Sequence, residues 1–139
     1  MTTTLPRREG IALFIPASPL AAQLGIEVDE LGDGSARLRL PFAERNATMA
    51  DVVHGGAIAA FADTAAMAAS WATDEPMPQD PAGATVSLHI DFLAAARACE
   101  LVAEATVLRR GGRLCFVRVD VRGEGELVAT GSATYRVGG

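Results

Sequence analysis

The longest apolar run in the chain is HGGAIAAFADTAAMAASWA, residues 54–72. Apolar residues fall on every face at helical spacing, so the run predicts a buried helix. Upstream, residues 1–10 are polar and read as loose, and the loosely ordered segment is expected to extend to residue 16. Residues 17–24 predict a short helix stopped by Gly25. A β-hairpin follows, with arms at 26–31 and 36–42 around an Asp33-Gly34 turn. Its second arm alternates cleanly, Ala36, Leu38 and Leu40 against Arg37 and Arg39. Residues 43–53 read as a loop or short turn. Beyond the helix, Pro76, Pro78 and Pro81 mark a loop. Segments 84–93, 99–109, 113–122 and 126–137 then read as strands, with turns at 111–112 and 123–125. Their spacing suggests an antiparallel meander. The order is hairpin, one helix, four strands. It predicts an α+β fold in which one curved antiparallel sheet wraps a single helix.

At 139 residues the chain is read as one domain, and 50% hydrophobic with 21% charged residues is a globular composition. The net charge of −5, with acids and bases spread evenly, offers no field for nucleic acid. All 12 basic residues are Arg. That removes lysine Schiff-base chemistry and the phosphate loop that ends in Gly-Lys. With two His and two Cys, and no Cys-x-x-Cys, no metal site and no cofactor are expected. Cys99 and Cys115 read as free thiols in a reducing compartment. The apolar run from Ile11 to Ile15 is too short for a signal peptide, and no stretch suits a bilayer span. A cytoplasmic protein is expected.

The helix carries the candidate chemistry. It opens with His54-Gly55-Gly56, and two glycines in a first turn suggest close approach by a ligand or another backbone. First-turn N–H groups lack helical partners and sit at the positive end of the dipole, which suits a developing oxyanion. Asp63 lies among Phe61, Ala62, Ala65 and Ala66. A carboxylate there is either satisfied by a neighbour such as Thr64 or functional. His54 and Asp63 are nine residues apart, about 13.5 Å along the axis and about 900° of rotation, so they face opposite ways. If both are catalytic, each site needs two chains, which predicts a two-fold dimer with sites at its interface.

The stretch 53–65, V-H-G-G-A-I-x-x-x-x-D-T-A, resembles hotdog-fold acyl-CoA thioesterases, most closely the phenylacetate-degradation type. The resemblance continues in S-L-H-I-D-F-L at 87–93, A-T-V-L-R-R-G-G-R-L at 105–114 and A-T-G-S-A-T-Y at 129–135. It implies five or six antiparallel strands around the central helix, a homodimer with one continuous sheet, and often a dimer of dimers. It also implies Asp63 as nucleophile or general base, Gly55 as the N–H donor to the thioester oxygen, and His54 as a shaper of that end. Thr85 matches the small hydroxyl residue that positions water. The family usually has Asn or Gln six residues before the His; this chain has Thr48 there, with Asn46 two residues earlier. Either could take that role.

The implied activity is hydrolysis of an acyl-CoA, aromatic such as hydroxyphenylacetyl-CoA or medium-chain, with no nucleic-acid or membrane partner. The alternatives are an acyl-CoA-binding protein without turnover and an enoyl-CoA hydratase; a turnover assay separates them. Candidate substrate contacts are Thr48, Gly56, Thr64 and Met67. The turn Arg109-Arg110-Gly-Gly-Arg113 is a candidate for the phosphates of CoA. His89, four residues past Thr85 and so on its face in a regular strand, is a candidate wall of the acyl pocket.

Overall fold

The computed structural model describes residues 4–138; residues 1–3 and 139 lie outside it. In chain order the elements are α1 (Arg7–Ala17), α2 (Pro19–Leu24), β1 (Glu27–Gly32), β2 (Ser35–Leu40), a 3-10 turn (Glu44–Asn46), β3 (Ala47–Met49), β4 (Val52–Val53), α3 (Gly55–Trp71), β5 (Ala82–Phe92), β6 (Leu101–Gly111), β7 (Leu114–Gly123) and β8 (Glu126–Gly138). Six strands form one antiparallel sheet in the order β1-β2-β6-β7-β8-β5, and β3 pairs with β4 alone. The expected α+β architecture, a long helix against a curved sheet, is the one observed. No helix among the described residues is long and apolar enough to cross a membrane.

The core lies between α3 and the inner face of the sheet. Leu38, Leu101, Ala103, Val117, Val119 and Val121 point inward and are at most 1% exposed. Phe61, Ala62, Ala65 and Ala69 of α3 meet them with no exposure. Alanine on both sides of the contact lets helix and sheet approach closely. Phe61→Ala would remove the largest fully buried side chain, at a cost of about 3–5 kcal/mol.

Three expectations change. The segment read as loose is mostly helix. Ile11 and Ile15, one turn apart, bury one side of α1, and Arg7 and Arg8 pair with Glu75 and Asp74. A short apolar run interrupted by Pro16 hid a helix that tertiary contacts support. The four last strands are not a simple meander: β5 leaves β6 and pairs with β8 at the far edge. β6 is already flanked by β2 and β7, so the 93–100 connection crosses beneath the start of α3, where Val53 N–H donates to Ala96 O and Ala98 N–H to Asp51 O. The turn after β6 is centred on Gly112, at φ 59°, one residue later than expected.

Candidate active site

His54 is the N-cap of α3. Its backbone is extended, at φ −63° and ψ 133°, and its Nδ1 accepts the Gly56 N–H at 2.7 Å. The folded-back ring explains the second glycine, since a Cβ at Gly56 would lie 2.9 Å from Nδ1. The Gly55 N–H has no acceptor among the described residues. It opens on a cleft of about 410 Å³ that also exposes Thr48, Val52, Ile58 and Phe92. A Cβ at Gly55 would meet only the Phe92 ring, at an ordinary 3.6 Å. Phe92 therefore lies beside Gly55 on the wall of this cleft, a place that sequence reading did not assign. Its signal lay in the last residues of S-L-H-I-D-F-L.

Thr48 and Asn46 separate clearly. Thr48 lines the Gly55 cleft. Asn46 is 7% exposed, its Nδ2 donates to Leu24 O at 2.8 Å, and its carbonyl accepts the His54 N–H at 2.7 Å. Asn46 thus fixes the entry to α3, while Thr48 faces the space a ligand can reach.

Eight residues further along α3, Asp63 is half-buried, and the Thr85 hydroxyl donates to its Oδ1 at 2.6 Å. Thr64 does not hold it, because the Thr64 hydroxyl donates to Ala60 O at 2.8 Å. The second carboxylate oxygen has no protein donor among the described residues. Within one chain Gly55 and Asp63 are separated by about 12 Å of helix rise. The side of α3 bearing Gly56, Ala59, Ala60, Asp63, Thr64 and Met67 stays partly open, so the helix is not buried all round.

Bulges decide where two other candidates go. The β5–β8 register shifts between Thr85 and Ser87. Thr85 therefore lies opposite inward Tyr135, while His89 lies opposite outward Ser132. His89 is 70% exposed and pairs with Asp91 at 3.2 Å. It does not share the face of Thr85, and the expected pocket role fails because the extra residue inverts the alternation. The β6–β7 register shifts between Val107 and Arg109. Arg109 then faces outward opposite Phe116, and Arg110 inward opposite Cys115. Arg110 donates to Ser70 O at 2.8 Å and to Cys115 Sγ at 3.1 Å, capping the negative end of α3. The expected three-arginine patch is split. Arg110 and Arg113 share a cleft of about 270 Å³ with Arg7 and Glu75, and Arg109 is not in it. Cys115 is buried, Cys99 half-buried, and both are free thiols.

Tyr135 is the other residue missed. It is 6% exposed, and its oxygen accepts the Trp71 Nε1–H at 3.0 Å. Burial raises its pKa, the Trp71 donor partly offsets this, and the charge of Asp63 raises it further. The phenol is therefore protonated at neutral pH. Met67 and Trp71 line an apolar cavity beside it.

Comparison with known proteins identifies the family. Residues 50–130 match the model of the thioesterase superfamily. The medium/long-chain acyl-CoA thioesterase YigI of Escherichia coli is 27% identical over 91% of this chain and 90% of its own length. A mutant of the phenylacetic acid degradation protein PaaI from Thermus thermophilus superposes with a TM-score of 0.74, at 25% identity, over 86% of this chain and 98% of that one. The Escherichia coli PaaI protein shares the fold, with a TM-score of 0.81 at 21% identity over 96% and 94% of the two chains. The long helix and its enclosing sheet thus have their counterpart, and the chain belongs to the thioesterase superfamily, the hotdog-fold thioester hydrolases.

Proposed function

We propose that this enzyme hydrolyses acyl-CoA thioesters, with Asp63 of one protomer and Gly55 of its partner in each site. The observation that carries the proposal is the Thr85–Asp63 hydrogen bond. It aims a half-buried carboxylate with one oxygen left for chemistry. The unused Gly55 N–H at a helix start supports the oxyanion assignment. The separation of the two along α3 supports a site made by two chains.

Water adds to the thioester carbonyl carbon while Asp63 takes its proton. The oxyanion forms on the Gly55 N–H. Its collapse breaks the C–S bond, and the CoA thiolate leaves and collects the proton from Asp63. The free acid is the other product. A thiolate leaves readily, so one carboxylate and one oxyanion donor are enough. In the covalent variant Asp63 itself attacks and water then opens the mixed anhydride; single turnover in heavy-oxygen water labels Asp63 only in that case. Thr48 lines the same cleft as Gly55, which supports assigning it to the thioester arm. Arg110 and Arg113 are the cations we assign to the CoA phosphates. The chemistry draws on no cofactor beyond the CoA of the substrate.

The test is thiol release from aromatic, short and medium-chain acyl-CoA esters and their N-acetylcysteamine counterparts. Wild type should turn over at least one acyl class, and Asp63→Asn should lose at least about 100-fold in kcat/KM. Equal rates in the two proteins would remove Asp63 from the mechanism. Weaker turnover of the truncated esters would locate the CoA contribution.

A further inference from the structure

One turn beyond Asp63 lies a cavity of about 500 Å³, a size that accommodates a small organic ligand. Its walls include Phe14 of α1, Met67 and Trp71 of α3, Met77, Gly83 of β5 and Tyr135 of β8. Asp63, Met67 and Trp71 are spaced by four and run along one side of α3. Asp63 and Trp71 are separated by about 12 Å of helix rise. Thr85, which holds Asp63, is the direct β5–β8 partner of Tyr135. Carboxylate and cavity are therefore neighbours.

Among the described residues that line it, only Trp71 and Tyr135 carry a side-chain nitrogen or oxygen, and the indole donates to the phenol. The phenol's own proton has no acceptor among the described residues. Gly83 makes room for it, since any Cβ there would overlap the Tyr135 oxygen. An apolar cavity thus contains one donor awaiting an acceptor, in a place where an unmade hydrogen bond is costly.

We infer that this cavity holds the acyl group and that Tyr135 selects acyl chains carrying an oxygen acceptor, such as a keto or ether oxygen, at the end far from the thioester. The inference deepens the acyl-CoA hydrolase reading and rests on it. An extended chain of about eight carbons, with a hydrogen bond at its far end, spans the roughly 12 Å of helix rise from Asp63 to Trp71, the donor to the phenol.

The test compares octanoyl-CoA with 7-oxooctanoyl-CoA in wild type and in Tyr135→Phe. Wild type should prefer the oxo ester about tenfold in kcat/KM, and Tyr135→Phe should bring the ratio near one. Because each ratio is taken within one protein, a general loss of folded enzyme cancels. Gly83→Ala, which crowds the phenol, should lower the ratio as well. A ratio near one in wild type, or a preference retained in Tyr135→Phe, would overturn the inference. Calorimetric binding of octanoate and 7-oxooctanoate to the same proteins needs no turnover. If wild type releases no thiol, the hydrolase reading falls. The acids still decide on Tyr135: a preference for the oxo acid lost in Tyr135→Phe upholds its contact, and equal binding to wild type refutes it.

Discussion

The sheet has two edges, and they meet solvent differently. At the β1 edge, Glu27, Asp29 and Glu30 face Arg37 and Arg39 of β2, with contacts of 2.6 Å for Arg37–Asp29, 2.7 Å for Arg37–Glu30 and 3.1 Å for Arg39–Glu27. The β1–β2 register also slips between Val28 and Glu30. Charge and a bulge are the usual means of keeping an edge from pairing with another chain. At the β5 edge, Val86, Leu88 and Phe92, with Leu93 just beyond, are 37–60% exposed. Leu88 and Phe92 lie on the inner face, beside the open side of α3. One edge is protected and the other is left apolar. The difference teaches that the unprotected edge is the one to look at for a second chain, and it is the edge that holds Thr85 over Asp63.

The strongest way to break this comparison is to charge β5. Val86→Lys/Leu88→Lys should leave a monomer by light scattering and reduce thioester turnover at least about 100-fold. A dimer with full activity would move the interface elsewhere. Next comes the glycine pair. Gly55→Ala has room in its own chain, so it should keep the wild-type Tm while losing about tenfold or more in kcat/KM. Gly56→Ala must displace the His54 ring, so it should cost about 1 kcal/mol of stability, as loss of a helix cap does. If both variants behaved alike, the two glycines would have one role. The smallest effect belongs to the protected edge. Glu30→Gln removes one exposed ion pair and should shift stability by less than about 1 kcal/mol with association unchanged, as denaturant titration and light scattering would show.

The sequence made the helix, the hairpin and the later strands legible, because their apolar periodicity is strong and their turns carry Gly. It also made the relation between His54 and Asp63 legible, because helical geometry needs only a residue count. Thr85 was reached by resemblance. Faces on β5 and β6 were not legible. The register slips at Val86 and Leu108 leave no Gly or Pro in the sequence as a marker, yet each inverts every side chain beyond it. That is why His89 looked like a neighbour of Thr85. Arg109 and Arg110 looked like one patch because they read as part of a turn, whereas β6 runs on to Gly111 and adjacent strand residues face opposite sides. The helix α1 was hidden because Ile11 and Ile15 need the rest of the core to bury against. Phe92 and Tyr135 depend on which strand lies beside which, and β5 beside β8 is not the pairing that chain order suggests.

The central claim is that each site joins Gly55 of one protomer to Asp63 of the other. Mixing Asp63→Ala with Gly55→Val, each nearly inactive alone, tests it most directly. In a heterodimer one of the two sites is intact, so refolded mixtures should regain about a quarter to a half of wild-type thiol release. Heterodimers that form and stay inactive would contradict the shared site.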